Sequence, residues 1–294
     1  MIKKKVCVAI FSRANYGSIK KVLDELKKNK KIELQILTGG SANIDKYGSI
    51  SKIIKKDKFK INEEVFFFVD GDKPITMVKT TALGMIETST ALEKLRPDIV
   101  LTVGDRYETM ATVIASSYMN IPVAHIQGGE KTLGAIDDQF RHCITKMSRL
   151  HFTATEEYRD RVIQLGEYPE NVFNVGALNV DALKKIKILP KAKLEQEINF
   201  SFKGKTALVT FHPVTLQKET SGKHFQQLLD AIDSIKDLKI IFTKTLADTD
   251  GRVINQMIDD YVSSNEDKSV VFTSMGQLNY ISALNYIDVV VGNS

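Results

Sequence analysis

The stretch VCVAIFSRANYGSIKKVLDELKKNKKIELQILT, residues 6–38, decides the fold class. It opens on an unbroken apolar run, VCVAIF (6–11). From Tyr16 to about Asn29 it changes period, with Ile19, Val22, Leu23 and Leu26 on one helical face, and LQILT (34–38) is apolar again. A strand that is apolar on both faces needs cover on both, which is the condition of a parallel sheet between layers of helices. The same theme recurs in VFFFV (65–69), DIVLTV (98–103), IPVAHI (121–126), HFTAT (151–155) and NVFNVG (171–176). Residues 177–205 are polar, lysine-rich and carry Pro190, and read as a connector with some helix. A second strand–helix series follows: TALVTF (206–211), LKIIFT (238–243), SVVFT (269–273) and DVVVG (288–292), with helices expected around 222–236, 251–263 and 277–286. The expected architecture is α/β: two doubly wound domains, 1–176 and 206–294, facing a cleft. The chain ends on a strand and Gly292-Asn293-Ser294, a sequence suited to opening another loop and helix, so the second domain reads as truncated.

A length of 294 residues suits two domains, and 43% hydrophobic with 26% charged residues excludes a disordered chain. The net charge of +5 comes from scattered lysines without a basic stripe, so no nucleic-acid partner is expected. Cys7 and Cys143 have no metal-ligand spacing and read as free thiols of a reducing compartment. The apolar run Val6 to Phe11 is too short for a signal sequence, and no stretch approaches the ~18–20 residues that cross a bilayer. A soluble cytoplasmic protein without a membrane partner is the reading.

In doubly wound sheets, ligands sit where strands end and helices begin. After the first strand, Ser12-Arg13-Ala14-Asn15 could hold a pyrophosphate with a helix N-terminus and a guanidinium; a capped turn with an exposed Arg13 fits equally. Neither GxGxxG after that strand nor GxxxxGK[ST] occurs, which disfavours nicotinamide and P-loop chemistry. After the fourth strand, Gly104-Asp105-Arg106 sets an acid beside a base, with a helix-capping Asp105 as the plainer alternative. After the fifth come Gln127-Gly128-Gly129-Glu130, then Asp137, Asp138 and Arg141. Asp137 and Arg141 are spaced to share a helical face. Crowded carboxylates can divide proton removal and delivery because burial separates their pKa values. A surface helix with a local ion pair leaves the two glycines unexplained. In the second series, Phe211-His212-Pro213-Val214-Thr215 could present His212 to a phosphate, or His212 could be a packed core histidine. No cluster has metal-ligand spacing, so neither metal nor cofactor is expected.

The block PDIVLTVGDRYETMATVIASSYMNIPVAHIQGGEKTLGAIDDQFRHCITKMSRLHF (97–152), with FSRANYG (11–17), ALVTFHPVT (207–215) and VVVGNS (289–294), resembles the hydrolysing UDP-N-acetylglucosamine 2-epimerases of sialic-acid-type biosynthesis. The resemblance implies two Rossmann-like domains in the GT-B arrangement, a nucleotide-sugar substrate, a homodimer, and a metal-free reaction. In that reaction the nucleoside diphosphate leaves C1 as the C2 proton is removed. Water then adds to the glycal, and a proton returns to the other face of C2. By motif position, Asp105 and Asp137 are implied to handle protons; Arg106, Asp138 and Arg141 to hold the sugar; His212, with Thr215 in the same segment, to meet the diphosphate. Arg13 and Asn15 fall where the family binds nucleotide, and Asn293 and Ser294 match its phosphate loop.

Members of the sialic-acid type commonly have a catalytic Glu where this chain has Gln127, and a His where it has Ala42. An amide cannot take up a proton as a carboxylate does, so that role is empty or falls to Glu130. Both changes resemble the branch acting on GDP-linked 2,4-diacetamido-2,4,6-trideoxyglucose for legionaminic acid. Two rivals remain on sequence alone: a GT-B glycosyltransferase, and a non-catalytic nucleotide-sugar-binding fragment or paralogue.

Overall fold

The computed structural model describes residues 2–71, 73–178, 180, 183, 186–214, 220–245 and 251–293. The chain forms two compact units, residues 1–70 with 74–184, and residues 71–73 with 185–294.

In the first unit, β1 (Lys4–Ile10), β2 (Ile32–Thr38), β3 (Glu63–Glu64), β4 (Ile99–Val103), β5 (Val123–Ile126), β6 (Leu150–Thr153) and β7 (Val172–Asn174) pair in the order β3-β2-β1-β4-β5-β6-β7, all parallel. The apolar run of β1 divides by alternation. Val6, Val8 and Ile10 enter one core with Tyr16, Ile19 and Leu23 of α1 (Arg13–Lys28). Cys7, Ala9 and Phe11 enter the other with Ala91, Leu92 and Leu95 of α3 (Pro74–Leu95) and Val113 of α4 (Tyr107–Tyr118). Two-sided cover explains why β1 carries no polar position from Val6 to Ile10, past the two lysines at its start. A short α2 (Ile50–Lys56) adds Ile50 and Ile54 to the first core; α5 (Asp137–Lys146) and α6 (Glu156–Gln164) complete the unit.

The segment 65–69, expected as a strand, leaves the sheet after the Val65 N–H donates to the Thr38 carbonyl at 2.9 Å. Past β3, which ends at Glu64, Phe67 turns inward against Phe11, with ring centroids 5.2 Å apart, whereas Phe66 is exposed. An edge segment has one neighbour only, and aromatic packing replaces the ladder.

In the second unit, β8 (Lys205–Thr210), β9 (Leu238–Thr243), β10 (Ser269–Phe272) and β11 (Val289–Gly292) run parallel in the order β10-β9-β8-β11, the order in which the first unit begins. Helices α8 (Ser221–Asp233) and α9 (Gly251–Ser264) cover one face through Phe225, Leu229, Ile254 and Ile258. The other face is covered in part by residues expected in the connector. Leu194 and Ile198 of α7 (Lys191–Ile198), with Phe200 and Phe202, pack on Leu208, Ile241 and Ala283 of α10 (Gln277–Leu284). The connector reading of 177–205 is corrected accordingly: among its described residues Lys187, Lys191, Lys193, Lys203 and Lys205 are exposed, while Leu189, Leu194, Ile198, Phe200 and Phe202 are buried in the second unit's core. No helix among the described residues is long and apolar enough to cross a membrane.

Candidate functional site

Strand order reverses between β1 and β4 in the first unit, where helices leave in opposite directions and loops part. Ser12 caps α1 by accepting from the Asn15 N–H. Asn15 is buried and spans the reversal: its Oδ1 accepts from the Phe11 N–H at 3.3 Å and from Ser12 Oγ at 3.1 Å, and its Nδ2 donates to the Val103 carbonyl at 3.1 Å. Asn15, expected at the nucleotide, braces two strand ends. Arg13 stands at the first position of α1, half-buried, and burial pulls its guanidinium below its ordinary value.

Beyond β4 the chain turns at Gly104, with φ +83°. Both backbone groups of Gly104 are held by β5: its N–H donates to the Ile126 carbonyl at 3.1 Å, and its carbonyl lies 2.8 Å from His125 Nε2. Asp105 and Arg106 follow. Arg106 is turned inward, its Nε 3.0 Å and its Nη2 3.4 Å from the two carboxylate oxygens of Glu108, which is itself buried. That bidentate pair ties the guanidinium to the first turn of α4, where acidic groups are favoured. Arg106, expected at the sugar, is held here in a buried ion pair.

The loop after β5 carries the remaining acids. Gln127 sits in the left-handed region, φ +69°, and its Oε1 lies over Gly104. The next two residues must be small for separate reasons. A Cβ on Gly128 would stand 3.0 Å from Thr145 Oγ1 and 3.2 Å from His125 Nδ1; one on Gly129 would stand 2.3 Å from the Tyr158 carbonyl oxygen, at φ +82°. These close approaches bring the loop down onto α5 and α6.

Arg141 of α5 gathers the site. Its Nη1 donates to the Gln127 carbonyl at 3.0 Å and to Glu130 Oε2 at 3.1 Å; its Nη2 donates to Asp105 Oδ2 and to Thr132 Oγ1, the latter at 3.1 Å. Burial pushes the Glu130 carboxyl above its usual value against the pull of Arg141, and the Asp105 carboxylate adds to the push. Asp138, expected at the sugar, accepts from the Thr132 N–H at 2.7 Å and lies 3.8 Å from His142 Nε2, and so shapes the loop. Asp137 begins α5, half-buried, one helical turn before Arg141. Asp105, Gln127, Glu130, Asp138 and Arg141 are thereby brought together.

His212 and Asn293 belong to the second unit, after β8 and β11. The His212 N–H donates to Asn293 Oδ1 at 2.8 Å, Asn293 Nδ2 donates to the His212 carbonyl at 2.7 Å, and His212 Nδ1 is 3.2 Å from Thr245 Oγ1. Thr215 and Ser294 lie outside the described residues. Ala42 is wholly buried in the first core, in a turn after β2. Among the described residues no group of three His, Cys, Asp or Glu side chains is arranged to hold a metal ion. Sequence reasoning did not assign His125, Thr132 or Thr145; a histidine within an apolar strand was the one available signal.

The fold and site define the class first: an α/β enzyme of two doubly wound units of the GT-B type, with carboxylates gathered on an arginine at strand ends. Residues 24–294 match the family described as UDP-N-acetylglucosamine 2-epimerase, and this chain belongs to that family. Among similar proteins, a GDP/UDP-N,N'-diacetylbacillosamine 2-epimerase (hydrolyzing) of Campylobacter jejuni is 36% identical over 294 residues, covering 100% of this chain and 76% of that protein. A UDP-N,N'-diacetylbacillosamine 2-epimerase (hydrolyzing) of Legionella pneumophila is 31% identical over 291 residues, covering 99% and 76%. The crystal structure of the Neisseria meningitidis UDP-GlcNAc 2-epimerase bound to UDP-GlcNAc shares the fold, with a TM-score of 0.78 at 18% identity over 99% of this chain and 78% of that one.

Proposed function

We propose that this protein hydrolyses and epimerises a nucleoside-diphosphate-linked N-acetylhexosamine, releasing the free manno-configured sugar and the nucleoside diphosphate. The observation that carries the reading is the bridging of Asp105 and Glu130 by one buried guanidinium, that of Arg141, in a chain of this family. Elimination needs a base at C2 and hydration needs an acid there, so carboxylates of unlike proton affinity are required near one carbon. Asp105, paired with Arg141, suits the base. Glu130, held above its usual value by burial, suits the acid in place of the carboxylate that Gln127 lacks. Asp137 is the third proton-handling group, and His212 with Asn293 meets the diphosphate.

The substrate is a 2,4-diacetamido-2,4,6-trideoxyglucose, the sugar of diacetylbacillosamine, carried by GDP or UDP, and its product serves nonulosonic acid biosynthesis. Support comes from the names of the Campylobacter and Legionella relatives, from the amide at Gln127, and from the apolar burial of Ala42. The working assembly is a homodimer, which light scattering of the purified protein tests. The decisive experiment is product analysis by NMR with GDP- and UDP-linked diacetylbacillosamine and with UDP-N-acetylglucosamine, without any acceptor. Free manno sugar from a diacetylbacillosamine donor supports the reading. Turnover only when an acceptor is added would make the protein a glycosyltransferase, and binding of these donors without turnover would make it a binding protein.

A further inference from the structure

His125 lies on β5 with its ring wholly buried, and both nitrogens are engaged: Nε2 at 2.8 Å from the Gly104 carbonyl, Nδ1 at 3.1 Å from Thr145 Oγ1. The partners dictate the proton. A carbonyl only accepts, so Nε2 carries the hydrogen; a neutral ring then leaves Nδ1 as an acceptor, and the Thr145 hydroxyl must donate to it. Burial agrees, pulling the imidazole down to about 3. Thr145 is on α5, one turn beyond Arg141, and is fully buried as well.

The consequence falls on Asp105. Gly104 is the left-handed turn that delivers Asp105 to Arg141, and β5 grips its N–H through Ile126 and its carbonyl through His125. Gly128 has no side chain where one would push on this histidine–threonine pair. We infer that His125 and Thr145 form a positioning pair that locks the Gly104 turn through a fixed imidazole tautomer, and so aims the Asp105 carboxylate. The inference rests on the proposed reaction for its kinetic consequence and on the geometry alone for its tautomer.

The test uses the full chain and four variants: Thr145→Val, Thr145→Ser, His125→Leu and His125→Gln, whose amide can still donate to Gly104. Misplacing a reacting group by about 1 Å costs on the order of 10²-fold. His125→Leu should therefore lose about 10²-fold in kcat, and Thr145→Val about tenfold, with KM within about threefold. His125→Gln and Thr145→Ser should each recover most of the loss. Two readouts do not depend on turnover: ¹⁵N NMR should find protonated Nε2 and bare Nδ1 at neutral pH, and hydrogen exchange at the Gly104 amide should quicken in Thr145→Val. An Nδ1–H tautomer, an unchanged Gly104 exchange rate, or a Thr145→Val enzyme with wild-type kcat would overturn the inference. Absence of turnover from every donor in the wild-type protein would defeat the functional reading while leaving the tautomer and exchange results to decide this one.

Discussion

The side chain of Asn293 grips the main chain of His212 from both directions, accepting its N–H at 2.8 Å and donating to its carbonyl at 2.7 Å. Those residues follow β11 and β8, the two strands between which the order of the second sheet reverses. Asn15 has the same task in the first sheet, joining the ends of β1 and β4. A side-chain amide suits this because it offers donor and acceptor together, and the loops it joins diverge with main-chain groups left unpaired.

Asn15→Ala leaves the buried Phe11 N–H and Val103 carbonyl without this partner and should lower stability by about 2–3 kcal/mol in urea denaturation. Asn293 is exposed, water can take its place, and Asn293→Ala should cost under about 1 kcal/mol. Equal losses would contradict the difference in burial.

Arg141→Lys keeps the charge but not the fork that reaches Asp105, Glu130, Thr132 and the Gln127 carbonyl together. A fall in kcat of about 10²-fold with a stability loss of about 2–4 kcal/mol is expected, since partly buried carboxylates lose their partner. Steady-state kinetics and thermal denaturation check both.

Gly17 and Gly129 should respond oppositely to alanine. Gly17 lies inside α1 and a Cβ there meets nothing within 4 Å, so Gly17→Ala should stabilise by about 0.5–1 kcal/mol. At Gly129 the Cβ would collide with the Tyr158 carbonyl at positive φ, and a loss of about 2–4 kcal/mol is expected. Melting temperatures of the two proteins should move in opposite directions.

Stability should fall on acidification in a particular window. A histidine of the unfolded chain takes its proton near pH 6.5, His125 in the fold only near about 3. Between those values the unfolded state binds more protons, so the contribution is complete above about pH 6.5 and is lost toward pH 3, by at most about 1.4 kcal/mol per pH unit. Burial shifts His151 the same way, with Glu167 opposing. Urea midpoints should therefore drop more between about pH 7 and 5 for the wild type than for His125→Gln; parallel curves would mean that His125 is charged in the fold.

The chemistry has an isotopic signature. A reaction run in deuterated water should leave deuterium at C2 of the released sugar, and Asp105→Asn, Asp137→Asn and Glu130→Gln should each lower kcat by about 10²–10⁴-fold. Retention of protium at C2 would exclude proton abstraction there.

The α/β class and the winding of both sheets were legible in the sequence, because a strand covered on two faces is apolar at successive positions, as in Val6–Ile10 of β1, Ile99–Leu101 of β4, Ala207–Val209 of β8 and Ile240–Phe242 of β9. So was the clustering of acids after β5, since Gly128 and Gly129 have no use in an ordinary surface helix. The edge of the first sheet was not legible: residues 65–69 are as apolar as a strand, but a one-sided neighbour cannot hold them, and only Val65 and Phe67 of the segment pack into the core. Nor was the part played by 191–202, where polar residues separate Leu194, Ile198, Phe200 and Phe202, the spaced apolar residues that the second core absorbs. Most of all, sequence could nominate Arg106, Asn15 and Asp138 only by type and position. Each is polar and near a strand end, and spacing along the chain does not name its partner in the protein. Tertiary structure decided that Arg106 pairs with Glu108, Asn15 braces β1 to β4, and Asp138 holds Thr132, while Arg141 reaches Asp105 from 36 residues away. A hydrogen bond depends on distance and direction in space, and spacing along the chain carries neither once helices and strands intervene.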